Sequence, residues 1–320
     1  MSKRSPRPDN LRALLMLLVV FAHCLELFWE GSLLYRAIYA FHMPAFVFLT
    51  GFFARPSTRR IGTTLGIYIA FQTLYLLFDA HILGTGAALQ YTTPYWLLWY
   101  ALSMHHWLLL LIPFSWQTKR RQLVLLALSV ILALLCGYDA SVGYTLSLSR
   151  TIVFLPFFLL GHLFSGEARL RDAVCEGPPR LIRLAGSAVM IAVCCAMVLY
   201  LRRYPGLSAP QMYGSYSYAA YGYGAVTRAK LFVIALCFLV LLLLAVPGVR
   251  IPLFTRAGEN TLPVFLLHGF LLRLMRQYGV FRFSLPVNLA LAAVLSLLIL
   301  LLLSALRLPR PMQRKDVPAA

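Results

Sequence analysis

His23, His42, His105, His106 and His268 each fall inside an apolar run long enough to cross a bilayer. Hydrocarbon gives an ionisable ring no hydrogen-bond partner, so an imidazole at that depth reads as part of a site unless a neighbouring helix simply packs it neutral. An imidazole can take and return a proton, and it can be acylated. His23 is therefore expected either to act as general base on a hydroxyl or to carry an acyl group itself. Glu26 follows His23 by three residues and shares its helical face, where the carboxylate would orient or charge-stabilise the ring; its plainer role is a headgroup-level anchor. Cys24 is rotated about 100° away around the helix, which argues against a Cys-His nucleophile pair in this run.

Depth groups the rings. Arg12 lies at one membrane edge and His23 is eleven residues further on, roughly 16 Å deeper at the helical rise of about 1.5 Å. Counted from the opposite edge His42 is about 10 Å deep, and His268 is roughly 15 Å in from the first edge. His105 and His106 are expected at a similar depth, so several helices would bring imidazoles to one level. The stretch Tyr39 to Phe53 also carries Pro44, Thr50 and Gly51 inside its apolar run. Pro44 removes one intrahelical hydrogen bond, which predicts a break there and a loosened turn beside His42. Gly269 is expected to open space beside His268.

At the edge where Arg12 sits, Arg55, Arg59, Arg60, Lys119, Arg120 and Arg121 are also placed to meet an anion. Asn260 or Thr261 followed by Pro263 is a helix-start pattern that leaves backbone N–H groups facing the cytoplasm, a docking place for a phosphate-bearing donor. Taken singly, each basic residue is explained by membrane topology; Arg12 stands apart because it lies at the foot of the helix that carries His23.

The elements that must hold these residues follow from composition. Of 320 residues 61% are hydrophobic and 12% charged, and the mean hydropathy is +0.78, which excludes a soluble domain. Ten spans are expected, at about 11–28, 35–53, 61–83, 95–113, 121–138, 150–166, 183–201, 228–246, 258–276 and 287–306. The fold class is an all-α, polytopic integral-membrane bundle, with residues 1–320 as a single membrane-embedded domain and short tails. The first run lacks a small-residue cleavage site and is read as an uncleaved helix. Ten spans put both termini on one side. The segments on that side hold 20 of the 29 basic residues, among them Lys3, Arg4, Arg7, Arg307, Arg310, Arg314 and Lys315, so both termini are expected in the cytoplasm. The net charge of +19 lies in short segments between spans, not in a stripe with interleaved aromatics, which argues against nucleic acid. The six cysteines show neither metal-ligand spacing nor a disulfide framework, and no metal is expected. On the outer side Tyr213 to Tyr223 alternates aromatic rings with small residues, suited to stacking on sugars or to an interfacial belt.

Several blocks resemble the membrane acyltransferase-3 family, most closely its fucose 4-O-acetylase-like branch. They are Asp-Asn-Leu-Arg-Ala at 9–13 with Phe-Ala-His-Cys-Leu-Glu at 21–26, the Phe-His-Met-Pro run at 41–53, Thr-Pro-Tyr-Trp-Leu-Leu-Trp-Tyr at 93–100, Phe-Leu-Pro-Phe-Phe-Leu-Leu-Gly at 154–161, and Gly-Glu-Asn-Thr-Leu-Pro with the following His-Gly at 258–269. They fall in family order and cover most of the chain. Departures are Ala13 where the family commonly has Gly, Thr50 where it has Ser, and Glu259 where Asn or Lys is expected. The resemblance implies transfer of acetyl from cytoplasmic acetyl-CoA to a hydroxyl of a cell-surface or lipid-linked saccharide, in the plasma membrane. It matches the family's Arg-to-His spacing with Arg12 and His23, its His-Met-Pro block with His42, Met43 and Pro44, and its late histidine with His268. The catalytic set is then His23, His42, His268 and Glu26, and the donor-binding set Arg12, Arg55, Arg59, Arg60 and Asn260. The competing reading is a proton-coupled carrier or flippase for glycans or anions, in which the same histidines relay protons.

Overall fold

Apolar runs of about twenty residues with few charges satisfy their backbone polar groups internally only as helices. The computed structural model, which describes residues 5–85, 88–204 and 207–306, is built of such helices, with no strand among the described residues. Lys3, Arg4, Arg307, Arg310, Arg314 and Lys315 lie outside the described residues. The helices are α1 (Arg7–Leu25), α2 (Leu33–Tyr39), α3 (His42–Phe53), α4 (Thr58–His81), α5 (Trp99–Ser115), α6 (Lys119–Leu135), α7 (Leu148–Gly166), α8 (Ala168–Cys175), α9 (Arg180–Arg203), α10 (Ala209–Met212), α11 (Tyr218–Tyr221), α12 (Ala225–Ala245), α13 (Pro252–Glu259), α14 (Leu262–Gln277) and α15 (Leu285–Ala305).

Among the described residues nine helical segments are long and apolar enough to cross a membrane, α2 and α3 together making one of them. They fall on nine of the ten expected spans. The remaining one, expected over 258–276, is divided: α13 ends at Glu259, Asn260 turns, and α14 begins at Leu262 with Pro263 in its first turn. At 16 residues α14 reaches about 24 Å, less than the roughly 30 Å of a bilayer's hydrocarbon. The turn is fixed by the Asn260 side-chain amide, which donates to the carbonyls of Ser304 (2.8 Å) and Leu306 (2.7 Å) at the end of α15. Those carbonyls have no partner within their own helix.

α1 occupies the centre, against α3, α13, α14 and α15. Its Arg7, expected as one more topology-setting charge, is instead buried at 1% exposure. Its guanidinium takes the carbonyls of Val246, Ala173 and Val174, which close the ends of α12 and α8 onto the start of α1. The tightest helix pair is α3 with α7. Gly51 lies against the Phe158 backbone, and Gly161 against that of Phe48, with no room for a Cβ at either position. Small residues at a crossing let two membrane helices approach to backbone contact, where dispersion and not the hydrophobic effect holds them.

The interruption in the second span falls before Pro44, not at it. α2 stops at Tyr39 and α3 starts at His42, which leaves Pro44 in the first turn of α3, where a missing N–H removes no helical bond. The Ile38 carbonyl at the break accepts the Phe41 N–H at 3.2 Å, and His42 Nδ1 lies 2.8 Å from the same oxygen.

Candidate active site

α1 brings His23 to the middle of the bundle with Glu26 one turn on. The carboxylate Oε2 lies 3.1 Å from Nδ1, so Nδ1 carries the proton and donates it, and Nε2 is left with a free lone pair. A half-buried carboxylate holding one imidazole nitrogen fixes both tautomer and orientation, which is what a general base requires. The Tyr39 hydroxyl lies 3.4 Å from the same Nδ1. The Trp96 ring meets His23 edge-on at 4.5 Å between centroids.

α14 places His268 beside it. The two imidazoles are stacked, 5.6 Å apart at 27°. His268 is fully buried, its Nδ1 donates to the Val264 carbonyl at 2.7 Å, and its Nε2 has no hydrogen-bond partner among the described residues. His42 repeats the pattern, with its Nδ1 on Ile38 and its ring 4.9 Å from Tyr39. The hydrogen-bond partners thus assign one tautomer to all three rings, with Nε2 as acceptor. His105 and His106 do not join them. His105 Nδ1 lies 3.1 Å from the Ile61 carbonyl near the start of α4, and neither ring lines the cavities around His23.

Three cavities adjoin one another, and His23 lines two of them. From the end of the bundle where α1 starts, a space of about 230 Å³ is bounded by Arg12, Arg60, Thr50, Phe53, Thr261 and Phe265. From the other end a space of about 250 Å³ is bounded by His23, Glu26, His42, Trp96, Arg150 and Tyr213. Between them lies a neck of about 30 Å³, walled by His23, His268, Met16, Phe46, Trp99 and Tyr100. The neck shares Met16, Phe46, Tyr100 and Phe265 with the first space and His23, Met43, Leu97 and Trp99 with the second. The Tyr100 hydroxyl is hydrogen-bonded to Thr50, which also donates to the Phe46 carbonyl at 2.9 Å. The largest cavity, about 860 Å³, is an apolar groove on the flank formed by α5, α6 and α7, and it holds none of the histidines.

The basic residues separate. Arg12 and Arg60 face the first cavity; Arg12 is ion-paired with Asp9 at 2.9 Å and lies 3.9 Å over the Phe53 ring. Arg55 turns back onto the carbonyls of Phe52 and Ala54 and the Ser165 hydroxyl, and neither it nor the exposed Arg59 lines that cavity. Asn260 is outside it as well, while its neighbours Thr261 and Leu262 are on its wall. Gly269 opens no space beside His268: Tyr75 and Leu97 pack directly on it.

Some lining residues escaped the sequence reading. Arg150 reaches the second cavity from the start of α7, 5.0 Å over Trp99 and 5.1 Å over Tyr144, with Nε donating to the Tyr213 carbonyl at 3.2 Å. No carboxylate pairs with it among the described residues. An isolated charge heading an apolar run was the available signal. The aromatic stretch Tyr213 to Tyr223 divides in two. Tyr213 and Tyr216 line the second cavity, whereas Tyr218 donates to the Leu134 carbonyl at 2.6 Å and packs under Arg228. Burial against that helix end raises the Tyr218 phenol to about 12. Among the described residues no group of three or more His, Cys, Asp or Glu side chains is arranged to hold a metal.

A bundle of membrane-length helices thus holds an imidazole-carboxylate pair on the wall of a cavity and beside its neck. The chain belongs to the acyltransferase-3 family: the family model described as an acyltransferase domain matches residues 6–306. It is accordingly a multi-pass membrane acyltransferase. No curated protein and no solved structure matches it.

Proposed function

We propose that the chain is a single membrane-embedded O-acetyltransferase domain of the plasma membrane, with both termini in the cytoplasm. It takes acetyl from cytoplasmic acetyl-CoA and delivers it to a hydroxyl of a cell-surface or lipid-linked saccharide. The observation that carries this reading is the position of His23 in a neck between two cavities, with Nδ1 held by Glu26 and Nε2 free. Arg12 and Arg60 hold the donor's phosphates in the first cavity, and Arg55 and Arg59 add positive potential at its mouth. Asn260 supports this end by fixing the turn into α14. The thioester arm reaches the neck, and the saccharide hydroxyl enters from the second cavity.

His23 Nε2 takes the hydroxyl proton as the oxygen attacks the thioester carbon. The C–O bond forms, the C–S bond breaks, and the proton passes from the imidazolium to the leaving sulfur, which yields acetylated saccharide and free CoA thiol. His268 and His42 present further acceptor nitrogens on either side of this path. The size of the neck favours transfer over carriage. A space of about 30 Å³ is the room of roughly one water molecule, too small for a sugar ring to pass.

Purified protein given acetyl-labelled CoA and envelope saccharide is expected to move label onto the saccharide and release CoA thiol. Movement of either compound across a membrane with no label transferred would point to a carrier instead. In the same preparation Arg12→Ala is expected to weaken acetyl-CoA binding about tenfold, roughly 1.4 kcal/mol, with a smaller effect on turnover at saturating donor. An unchanged dissociation constant would remove Arg12 from the donor site.

A further inference from the structure

We infer that the acceptor is read at two adjoining subsites, so that the substrate is a glycan chain of at least two sugars and not a monosaccharide; this rests on the acetyltransferase reading above. Beside the cavity that opens onto His23 lies another of about 220 Å³, and the two share Glu26 and Trp96 as their common wall. The far side is built by Asp79 near the end of α4, by Tyr95 ahead of α5, and by Arg273 and Arg276 on the last turns of α14. Trp96 already touches the His23 ring, so a sugar seated past Trp96 has its neighbour in the cavity of the base.

The construction of this wall exceeds what packing requires. Asp79 is 6% exposed and its carboxylate accepts from two donors: the Tyr95 hydroxyl, 3.0 and 2.9 Å from its two oxygens, and Arg273 Nη2 at 3.0 Å. Behind it Tyr75 stacks on Tyr95 at 4.6 Å and on Phe270 at 3.9 Å, which fixes the wall from the rear. A buried carboxylate held by a half-buried guanidinium and phenol takes no part in the acyl-transfer step described above. A donor is left unused on this wall: Arg276 is exposed, and no carboxylate pairs with it among the described residues.

Unfilled guanidinium donors, a carboxylate acceptor at Glu26 and the ring of Trp96 are the groups that meet a sugar. Its hydroxyls accept from arginine and donate to carboxylate, and its C–H face lies on an aromatic ring. A single sugar in the cavity of His23 reaches none of the donors beyond the shared wall; a second one does. Binding energy gained at this remote subsite is available to hold the reacting hydroxyl against His23, so chain length is expected to raise kcat as well as lower KM.

The test is acetyl transfer by the purified full-length protein from acetyl-labelled CoA. The acceptors are the producing cell's own envelope polysaccharide, deacetylated, partially hydrolysed and fractionated by size. The expected result is a kcat/KM at least tenfold higher for fractions of two or more sugars than for monosaccharide. In Arg276→Ala, a change at an exposed position, that ratio is expected to fall close to one. Equal kcat/KM across all fractions, or an Arg276→Ala variant that keeps the full ratio, would overturn the second subsite while leaving the acetyltransferase reading intact. Absence of label on every fraction, with wild-type protein that still binds acetyl-CoA, would instead overturn the saccharide reading and the subsite with it.

Discussion

Replacing His23 with alanine is expected to lower acyl transfer about 10²- to 10⁴-fold, the usual contribution of a positioned general base, while the protein stays folded in the membrane. The ring lines both the neck and the second cavity, and its Nδ1 is already committed to Glu26, so Nε2 is the atom on which a hydroxyl proton can land. His268 stands 5.6 Å away but lines only the neck and not the second cavity, so an entering hydroxyl meets His23 first. Glu26→Gln keeps an acceptor oxygen for Nδ1 but removes the charge that stabilises the imidazolium, so a smaller loss is expected, roughly tenfold. Turnover is measured on protein whose elution and thermal unfolding match the wild type. Near-normal rates in His23→Ala would remove the base from the scheme.

The second large effect is on assembly. Gly51→Val or Gly161→Val is expected to abolish recovery of folded protein, since the new side chain meets backbone of the facing helix, which has no rotamer to change. Overpacking costs about 1–3 kcal/mol where side chains can adjust, and separation of α3 from α7 would exceed that. It would also displace His42 and Thr50, which α3 carries to the cavities. Gly62→Ala on α4 is the control. Nothing lies within 4 Å of a Cβ there, and gain of helix propensity is worth up to about 1 kcal/mol. Size-exclusion profiles and thermal unfolding in detergent separate the cases, and a stable Gly51→Val protein would contradict the close α3–α7 packing.

The sequence made the membrane bundle legible because apolar length is a one-dimensional property, and nine expected spans have helices on them. It also placed His23 beside Glu26, since three residues on one helix is a local relation. What it could not carry was anything decided between helices. The break near His42 is a turn at 40–41 whose Ile38 carbonyl takes both the Phe41 N–H and the His42 ring, and it leaves Pro44 in the first turn of α3. The division of the span at 258–276 depends on Asn260 finding carbonyls at the end of α15, more than forty residues away. Arg7 reads as a surface charge until α8 and α12 converge on it. The basic residues near Arg12 separate for the same reason: equal in sequence, Arg60 faces a cavity and Arg55 folds onto its own helix end.

The central claim, that acetyl crosses through the neck at His23 from a donor on one face to a saccharide on the other, is tested most directly by sidedness. In sealed vesicles of defined orientation, acetyl-labelled CoA is supplied only to the face bearing Arg12 and Arg60, and the acceptor saccharide only to the opposite face. The expected result is label on the saccharide with free CoA thiol left on the donor face, and none with His23→Ala. Label that reaches the saccharide only when both substrates share one face, or intact acetyl-CoA or unmodified saccharide crossing the membrane, would contradict it.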